Sequence, residues 1–515
     1  MLAKVFSVAH FGLDTVKIEV EVDVAGRGFP GLHLVGLPSK AVEEAKERVR
    51  SAIVNSGIDF PSRSRIVVNL APADLVKEGS CYDLPIALAI LLASGMVSFD
   101  RKIFNESFFY GELSLDGSLR HSKGVFLLAD FARREKIANI FIPKLSANEA
   151  ACVTGAKIFP VESLPSLLNH FAGVKKILPL EKISISKLLT ETEAEFDMAD
   201  IIGQYQAKRA LEIAAAGNHN VFMKGPPGSG KTMLSRAMVG IMPPLTEEES
   251  MEVTKIYSVS GNIKIGDFIV RSRPFRAPHH TISRVGLIGG GANLSPGEVS
   301  MAHRGILFLD ELPEFPRNVL EAIRQPLEDR RVVISRAAGT VSFPCYFLMI
   351  AASNPCPCGF LAHPKKPCRC SQIEISRYQK RISGPILDRI DIHLNVPPVD
   401  PEKLGKYKNV LEEKSIVIRE RVIRARNRQL VRFKALKLPF VSNSEMGPRD
   451  IKKVCRISED GQRLLLQAAQ SFNLSARGYF KTIKIAQTIA DLTGEDEIAS
   501  EFIAEALQYL PKTED

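Results

Sequence analysis

Eight consecutive residues near the middle of the chain have the types and spacing that phosphate binding requires. They follow an apolar, strand-like segment and open a helix-like one: Gly225, Pro226, Pro227, Gly228, Ser229, Gly230, Lys231 and Thr232. Glycines at this spacing let the backbone curl so that its N–H groups point at phosphate oxygens, and a helix N-terminus adds a favourable dipole. Lys231 would reach the β- and γ-phosphates of a nucleotide, and Thr232 would help to hold Mg²⁺. The alternative is a glycine turn that only connects two elements.

A pair of adjacent carboxylates could supply the rest of a hydrolytic site. The apolar run from Gly305 to Leu309 ends in Asp310 and Glu311. A buried strand would deliver Asp310 to a metal ion and Glu311 to an attacking water. An ordinary core strand followed by an acidic turn would have the same pattern, so this interpretation depends on the phosphate loop. Together the two segments predict Mg²⁺-dependent hydrolysis of ATP.

Composition sets the limits within which such a site must be built. With 515 residues, 45% hydrophobic and 24% charged, the chain can form two to four folded domains. The net charge of +10 permits an anionic partner such as nucleic acid without requiring one. No run approaches about 20 uninterrupted apolar residues, and the N-terminus lacks the plan of a signal peptide. We therefore expect a cytoplasmic protein that does not cross a membrane.

Hydrophobic periodicity, together with the glycines, prolines and charged segments that interrupt it, predicts an α/β multidomain chain. Residues 1–172 alternate between strand-like and amphipathic helical patterns, and residues 173–198 are charged and aperiodic, as in a linker. Residues 199–396 have the helix, strand, glycine-rich loop and helix order of a nucleotide-binding α/β domain. Residues 397–515, which begin with two prolines, have helical periodicity.

These segments resemble a known family over nearly the whole chain. The ATPase domain resembles the magnesium-chelatase-like branch of AAA+ proteins, and the full-length order of domains resembles the ComM/YifB family of competence-associated ATPases. The resemblance implies an AAA+ core with inserts, a helical lid and a ring, expected to be a hexamer. It also implies a DNA partner and branch migration, which extends heteroduplex when single-stranded DNA invades the chromosome during natural transformation.

The resemblance also implies roles for residues outside the phosphate loop. Asn354, in the run MIAASNPCPCG, falls where AAA+ proteins sense the γ-phosphate. Arg389 falls where they carry an arginine finger that acts on the ATP of a neighbouring subunit, and Arg477 matches a second sensing arginine on a lid helix. Gly203 and Gln204 belong to a segment that resembles the one packed on adenine. The respective alternatives are a turn-forming Asn, a structural ion pair, a surface arginine and a turn at a helix start.

Two insertions suggest contact with DNA. One contains Gly289, Gly290 and Gly291 and resembles the helix-interrupting insert of chelatase-like and helicase-like AAA+ proteins. The other alternates as a hairpin that turns near Ala338-Gly339, and its Arg330, Arg331 and Arg336 would suit phosphates. A solvated basic hairpin or a contact between subunits would carry the same arginines.

Two adjacent histidines lie in the first insert. His279 and His280 invite a metal-site interpretation. Because adjacent side chains diverge, we expect ordinary hydrogen bonds from them instead.

Four cysteines form two closely spaced pairs on a loop rich in Gly, Pro and Lys: Cys356, Cys358, Cys368 and Cys370. Four thiolates satisfy a tetrahedral Zn²⁺ ion. A loop with little apolar content has little hydrophobic packing to stabilise it, so a metal cross-link would do so. The CxC spacing is tighter than the common CxxC knuckle. Structural zinc is our prediction, with free thiols or a redox pair as the alternatives.

The N-terminal domain resembles the Lon-protease-like fold, which also occurs at the C-terminus of the RadA recombination protein. In the protease, a serine and a lysine serve as nucleophile and base. The matching register places Cys81 at the serine position, with Ser80 one step away, and Phe126 at the position of the base. A thiol without a base has no evident activation. We therefore interpret the domain as a non-catalytic module for assembly or DNA contact; the alternative is a nucleophilic Cys81.

Three other functions remain open at this stage. A metal-chelatase motor subunit would remodel a protein partner, but those subunits do not typically carry a Lon-like domain. An ATP-dependent protease would cleave peptides through Cys81. An ATP-switched scaffold would bind ATP with negligible turnover.

Overall fold

The fold is taken from a computed structural model, which describes most of the chain. Residues 101 and 102 are described by their backbone alone. The described ranges are 2–26, 28–77, 79–97, 101–189, 194–291, 294–336, 339–361, 363, 365–398 and 412–511.

The N-terminal part is built on a mixed sheet. Its strands are β1 (Leu2–Phe11), β2 (Asp14–Ala25), β3 (Gly31–Val35), β4 (Arg65–Ala71), β5 (Ser107–Phe109), β8 (Asn139–Pro143) and β9 (Lys157–Val161), with a small ribbon of β6 (Glu112–Leu113) and β7 (Leu119–Arg120). The strand order is β3-β4-β2-β1-β5-β8-β9. The β1–β2 and β2–β4 pairs are antiparallel, and the other neighbours are parallel.

Helices cover the apolar surfaces of this sheet. They are α1 (Lys40–Glu43), α2 (Ala45–Asn55), α3 (Asp83–Ala93), α4 (Arg101–Asn105), α5 (Val125–Arg134), α6 (Ala147–Ala151), α7 (Leu164–Phe171) and α8 (Ile185–Leu188). Helix α3 is apolar on all sides and buried along nearly its whole length, as expected for a helix enclosed by other elements.

The predicted linker is partly packed against the N-terminal sheet. The backbone N–H of Leu180 donates to the carbonyl of Ile158 at 2.8 Å, and Ile185 of α8 is buried. Leu180 and Leu188 join the same apolar cluster as Ile140. The segment is therefore held by its few apolar residues, which the charged composition around them obscures. Residues 190–193 of the predicted linker lie outside the described part.

The central part is a parallel sheet of five strands. They are β10 (Val221–Lys224), β11 (Phe275–Arg276), β14 (Ile306–Leu309), β17 (Leu348–Ser353) and β18 (Ile392–Asn395), in the order β11-β14-β17-β10-β18. Strands β10, β14 and β17 are mostly or wholly buried, which explains why they read as continuous apolar runs.

Helices enclose both faces of this sheet, and inserts extend from it. The helices are α9 (Tyr205–Gly217), α10 (Lys231–Ile241), α11 (Glu247–Ser260), α14 (Arg317–Asp329), α15 (Gln372–Gln379) and α16 (Gly384–Leu387). The first insert contains α12 (Arg284–Ile288), β12 (Gly289–Gly290), β13 (Ser295–Pro296) and α13 (Glu298–Met301). The second is the hairpin of β15 (Arg331–Arg336) and β16 (Gly339–Pro344). Ala338 of the predicted turn lies outside the described residues, and Gly339 is the first residue of β16.

The C-terminal part is helical apart from one short strand pair. It contains α17 (Ser415–Ala435), α18 (Pro448–Val454), α19 (Glu459–Ser471), α20 (Ala476–Thr493) and α21 (Ser500–Leu507), with β19 (Arg456–Ile457) beside β20 (Glu497–Ile498). It shares one apolar cluster with α9, α10 and the central sheet. Among the described residues, none of the helices combines the length and apolarity that crossing a bilayer would need.

Candidate active site

The phosphate loop connects β10 to α10 at the carboxyl edge of the central sheet. The N–H of Gly225 donates to Ser353 O at 3.1 Å, and a side chain at Gly225 would overlap the carbonyl of Val396. Gly228 and Gly230 have φ values of +75° and +89°, a backbone region that glycine adopts readily. Glycine is thus needed at these positions for close packing and for curvature.

Lys231 lies inside this loop. Its ammonium donates to the carbonyls of Gly225 and Pro226 at 2.7 and 2.9 Å, and its side chain is largely buried. Burial lowers the pKa of Lys231, and the carboxylates of Asp310 and Glu311 oppose that shift. The cation therefore faces the loop interior, where few groups other than backbone oxygens solvate it.

The acidic pair follows β14 and meets the start of α10. Thr232 Oγ1 donates to Asp310 Oδ2 at 3.0 Å, which brings together the two predicted Mg²⁺ ligands. The backbone N–H of Glu311 donates to Asp310 Oδ1 at 2.9 Å. Glu311 has a left-handed φ of 51°, which is unusual for a residue other than glycine and typical of strained functional sites.

Asn354 follows β17 and faces the same edge. Its Oδ1 lies 3.4 Å from Lys231 Nζ. Strand ends β10, β14 and β17 therefore bring Lys231, Thr232, Asp310 and Asn354 into one group. The resulting arrangement of cation, hydroxyl, carboxylates and amide suits a metal-bound triphosphate and an attacking water.

The predicted adenine segment is fixed by a residue that sequence reasoning missed. Glu412 accepts from the N–H of Gly203 at 2.9 Å and pairs with Lys208 at 2.6 Å. Gln204, with φ 55°, donates to Ser229 O at 3.3 Å and to Pro397 O at 2.7 Å. The segment thus contacts the phosphate loop directly. No local pattern marks Glu412, because its partners lie about two hundred residues earlier.

The two adjacent histidines do not diverge. Their ring centroids lie 4.0 Å apart, so the divergence expected of neighbouring side chains is wrong here. His279 Nδ1 lies 2.9 Å from Thr281 Oγ1, in keeping with ordinary hydrogen bonding. His280 Nδ1 lies 3.5 Å from Glu311 Oε2, a contact that the sequence did not suggest.

The two arginines implied by the resemblance converge on one glutamate. Arg389 Nη2 lies 2.5 Å from Glu328 Oε1, and Arg477 Nη2 lies 3.6 Å from the same oxygen. The ion pair named as the alternative for Arg389 is thus present. Both arginines line a cavity of ≈ 390 Å³ together with Lys481 and Lys484. No residue of the phosphate loop, all of which is described, lines this cavity.

The three hairpin arginines differ in their surroundings. Arg331 and Arg336 are exposed on β15. Arg330 ends α14 in a left-handed conformation, pairs with Glu445 and lies 4.8 Å from the ring centre of Tyr346. Its guanidinium therefore pairs with the C-terminal part of the chain, and its contact with phosphates stays a prediction.

The four predicted cysteine ligands come together. Sulfur–sulfur distances among Cys356, Cys358 and Cys368 are 3.4 to 3.7 Å, and the Sγ atoms of all four lie within 4.8 Å of one another. Four sulfurs at about 2.3 Å from a tetrahedral zinc lie about 3.8 Å apart, so the set fits that ion. Backbone N–H groups of Arg369 and Phe360 lower the pKa of Cys358 to about 6, whereas burial and the neighbouring thiols raise the pKa of Cys368 and Cys370.

The cysteine loop lies directly against the phosphate loop. A side chain at Gly359, whose φ is +82°, would lie 2.6 Å from Pro227 Cδ and 3.8 Å from Asn354 Cγ. The order of the cysteine loop is therefore linked to the position of Asn354.

The Lon-like segment does not form a nucleophile and base. Burial raises the pKa of the Cys81 thiol to about 12. Lys77 is buried and donates to the carbonyl of Pro72, Ser80 donates to Glu112, and Phe126 is buried in an apolar cluster. Phe126, at the predicted position of the base, cannot accept a proton, and the nearby carboxylates of Asp83 and Glu112 oppose formation of the thiolate.

Comparison with known proteins places the chain among chelatase-like proteins. The family models "Magnesium chelatase, subunit ChlI", "Subunit ChlI of Mg-chelatase" and "Magnesium chelatase, subunit ChlI C-terminal" match residues 197–404, 20–146 and 412–510. Competence protein ComM of Haemophilus influenzae is 40% identical over 511 residues, which covers 99% of this chain and 97% of that protein. YifB of Salmonella typhimurium is 40% identical over 508 residues, with the same coverage. Lon protease 2 of Bacillus subtilis is 26% identical over 170 residues, 32% of this chain and 31% of that protein.

Cys81 is expected to resist alkylation in the folded protein. A thiol with a pKa near 12 carries about a thousandfold less thiolate at pH 8 than one with a pKa near 9. Iodoacetamide labelling followed by peptide mass spectrometry should show Cys81 protected in the native protein and modified after unfolding. Rapid native labelling, together with peptide cleavage lost in Cys81→Ser, would favour the protease alternative instead.

Proposed function

Since the chain belongs to the ComM/YifB family of magnesium-chelatase-like AAA+ proteins, we propose that it is an ATP-driven hexameric DNA motor. Its proposed activity is branch migration, the extension of heteroduplex during recombination. The competence protein among its relatives favours natural transformation as the setting, in the cytoplasm. The observation that carries the proposal is the group of Lys231, Thr232, Asp310 and Asn354 at one sheet edge.

The nucleotide chemistry follows from that group. The loop amides from Gly228 to Lys231 and the α10 N-terminus would receive the phosphates. Lys231 would exchange its bonds with two carbonyls for bonds with phosphate oxygens. Thr232 and Asp310 would hold Mg²⁺, which neutralises phosphate charge. Glu311 would orient and deprotonate the attacking water, and Asn354 would read the γ-phosphate. Gly203 and Gln204 would flank the base.

Completion of the site by a neighbour explains the second cluster of cations. Arg389 and Arg477 share Glu328 and face a cavity separate from the phosphate loop of their own chain. In a ring, the triphosphate of the adjacent subunit would compete with Glu328 for these guanidinium groups. Such charge-assisted contacts stabilise the transition state of phosphoryl transfer. Turnover would then depend on assembly, as a coordinated motor requires.

DNA contact is assigned to the exposed face of the β15–β16 hairpin. Arg331, Val333 and Ser335 point outward on one strand, while Val332 and Ile334 are buried. On the partner strand Thr340 and Ser342 are exposed. This face offers Arg331 and several hydroxyls, and Arg336, which belongs to the other face, adds a second exposed cation at the turn end. These groups suit phosphate contacts that do not read sequence.

Zinc is assigned to the four cysteines as a structural ion. Its proposed role is to order the cysteine loop, whose Gly359 lies against Pro227 and Asn354. The metal would supply cross-linking energy to a loop with little apolar content, and no chemical step would pass through it.

DNA should stimulate ATP hydrolysis, and the hairpin should carry that effect. Phosphate release is measured with and without single-stranded and branched DNA, with Lys231→Ala as the blank. The Arg331→Ala/Arg336→Ala variant should keep its turnover without DNA but bind DNA more weakly. The slope of log affinity against log salt should fall by about two, because two phosphate contacts are removed.

The matched control removes two exposed cations from the lid, Lys452→Ala with Arg463→Ala, and should behave as the wild type. Robust turnover that no DNA alters would contradict the motor and favour a protein client of the chelatase kind. An unchanged salt slope in the hairpin variant would remove the hairpin from the DNA site.

The purified protein should contain about one zinc ion per chain. Cys368→Ser/Cys370→Ser should lose the ion, lower the melting temperature and weaken ATP turnover, because Asn354 loses its support. Cys455→Ser, which is remote from the loop, serves as the control. Metal content is measured by elemental analysis. Full metal-free activity and stability in the double variant would contradict the structural role.

A further inference from the structure

The turn between β1 and β2 extends beyond the N-terminal sheet and contacts the β15–β16 hairpin. Phe11 and Leu13 pack against an apolar cluster that includes Ile334, Val341 and Phe343 of β15 and β16. Gly12 has φ +62°, and a side chain there would lie 3.0 Å from Val341 Cβ. A side chain at Gly339 would overlap the ring of Phe11. The fit therefore requires a glycine on each side of the contact.

The first insert packs beneath the same hairpin. A side chain at Gly289 would lie 2.9 Å from Ile334 Cδ1, and one at Gly290 would lie 3.9 Å from Ile334 Cγ2. Leu287 and Leu294 of the insert are buried in the shared cluster. The glycine run thus lets Ile334 approach the insert backbone. Three segments far apart in sequence meet in one apolar cluster: the β1–β2 turn, the first insert and the hairpin.

A second contact fixes the N-terminal domain to the motor. Lys255 of α11 pairs with Asp130 of α5 at 2.9 Å, and Ser258 Oγ donates to Glu149 at 2.9 Å. The N–H of Gly124 donates to Ser258 O at 3.1 Å. Since Asp130 and Glu149 are largely buried, these contacts are partly shielded from water. The N-terminal domain is therefore joined to the central part by a second set of contacts.

The buried face of the hairpin belongs to the same apolar cluster as α14 and the first insert, so the β1–β2 turn supplies part of its support. A two-stranded hairpin alone is marginally stable in water, and burial of one face must stabilise it. Its opposite face, with Arg331, Val333 and Ser335, is exposed. Phe11 lies against Gly339 at the turn end of the hairpin, the end that also carries Arg336. Contact at this end sets the direction in which the exposed Arg336 projects.

We propose that the N-terminal domain positions the β15–β16 hairpin for DNA, with Phe11 and Leu13 as positioning residues that act through Val341, Phe343 and Gly339. The inference rests on the proposed function in one respect, that the hairpin contacts DNA. It gives the Lon-like domain a mechanical role, because the domain supplies part of the apolar surface against which the hairpin packs. Displacement of the domain would loosen the hairpin without altering the phosphate loop.

The test compares full-length Phe11→Ala/Leu13→Ala with the wild type in two measurements. Hydrogen exchange, followed by mass spectrometry without DNA, should accelerate about tenfold in peptides from residues 331–344 and stay unchanged in β4 and β10. ATP turnover without DNA should remain within about twofold, while the DNA concentration for half-maximal stimulation rises about fivefold or more. Phe11→Leu, which keeps apolar bulk, should restore most of both properties. Phe29→Ala, which removes a ring that is 92% exposed on the same domain, is the matched control.

The outcomes separate this inference from the proposed function. Wild-type protein that DNA does not stimulate would count against the DNA motor. The hydrogen-exchange rates of the hairpin peptides would still show whether the β1–β2 turn holds the hairpin in position. Hairpin exchange and DNA response equal to the wild type in the double variant would overturn the positioning role. Faster exchange throughout the N-terminal sheet, without rescue by Phe11→Leu, would also overturn it, because the residues would then serve only to fold their own domain.

Discussion

The register of three parallel strands is the constraint on which the site depends. Val221 lies opposite Ile350, and Ile350 lies opposite Phe308, so β10, β14 and β17 end at the same edge of the sheet. The hydrogen bond from Gly225 to Ser353 ties the phosphate loop to the strand that precedes Asn354. A one-residue slip would turn every side chain of a strand to the opposite face and disrupt its close packing against the helices there, so this register is strongly fixed. The positions of Lys231, Asp310 and Asn354 follow from it.

The same sheet is linked to the lid through a buried polar group. His219 lies between Asp391 and Thr488, with contacts of 3.4 and 2.9 Å. Burial lowers the pKa of His219. Burial opposes ionisation of Asp391, yet the hydrogen bond with His219 and the nearby Lys484 hold its pKa well below the usual range. Thr488 lies on α20, whose first turn contains Arg477. The link therefore joins the sheet to the helix that carries one of the two proposed trans-acting arginines.

Local patterns predicted which residues group at the sheet edge, whereas contacts between residues far apart in the sequence could not be predicted. The phosphate loop and the Asp310-Glu311 strand are readable because their chemistry is encoded in consecutive residues and in the elements on either side. The cysteine cluster was predictable because only a few residue types bind metal ions.

The contacts of Glu412 and Glu328 were not predictable, because the tertiary fold determines which residue a carboxylate pairs with. The pairing of Arg330 with Glu445 could not be predicted for the same reason, because it depends on how the C-terminal helices pack. The packing surface beneath the hairpin depends on Gly12, Gly289 and Gly339, and no sequence pattern specifies which residues these glycines contact.

Subunit complementation tests most directly the central claim that one chain holds ATP and its neighbour completes the site. Lys231→Ala and Arg389→Ala subunits are mixed, allowed to assemble, and assayed for phosphate release beside each variant alone. The account predicts that each variant is inactive alone, and that random mixed rings regain activity at about a quarter of their interfaces. There, an intact phosphate loop faces an intact Arg389. A co-assembled mixture no more active than the average of the two variants would contradict it, since Arg389 would then act within its own chain or only hold Glu328.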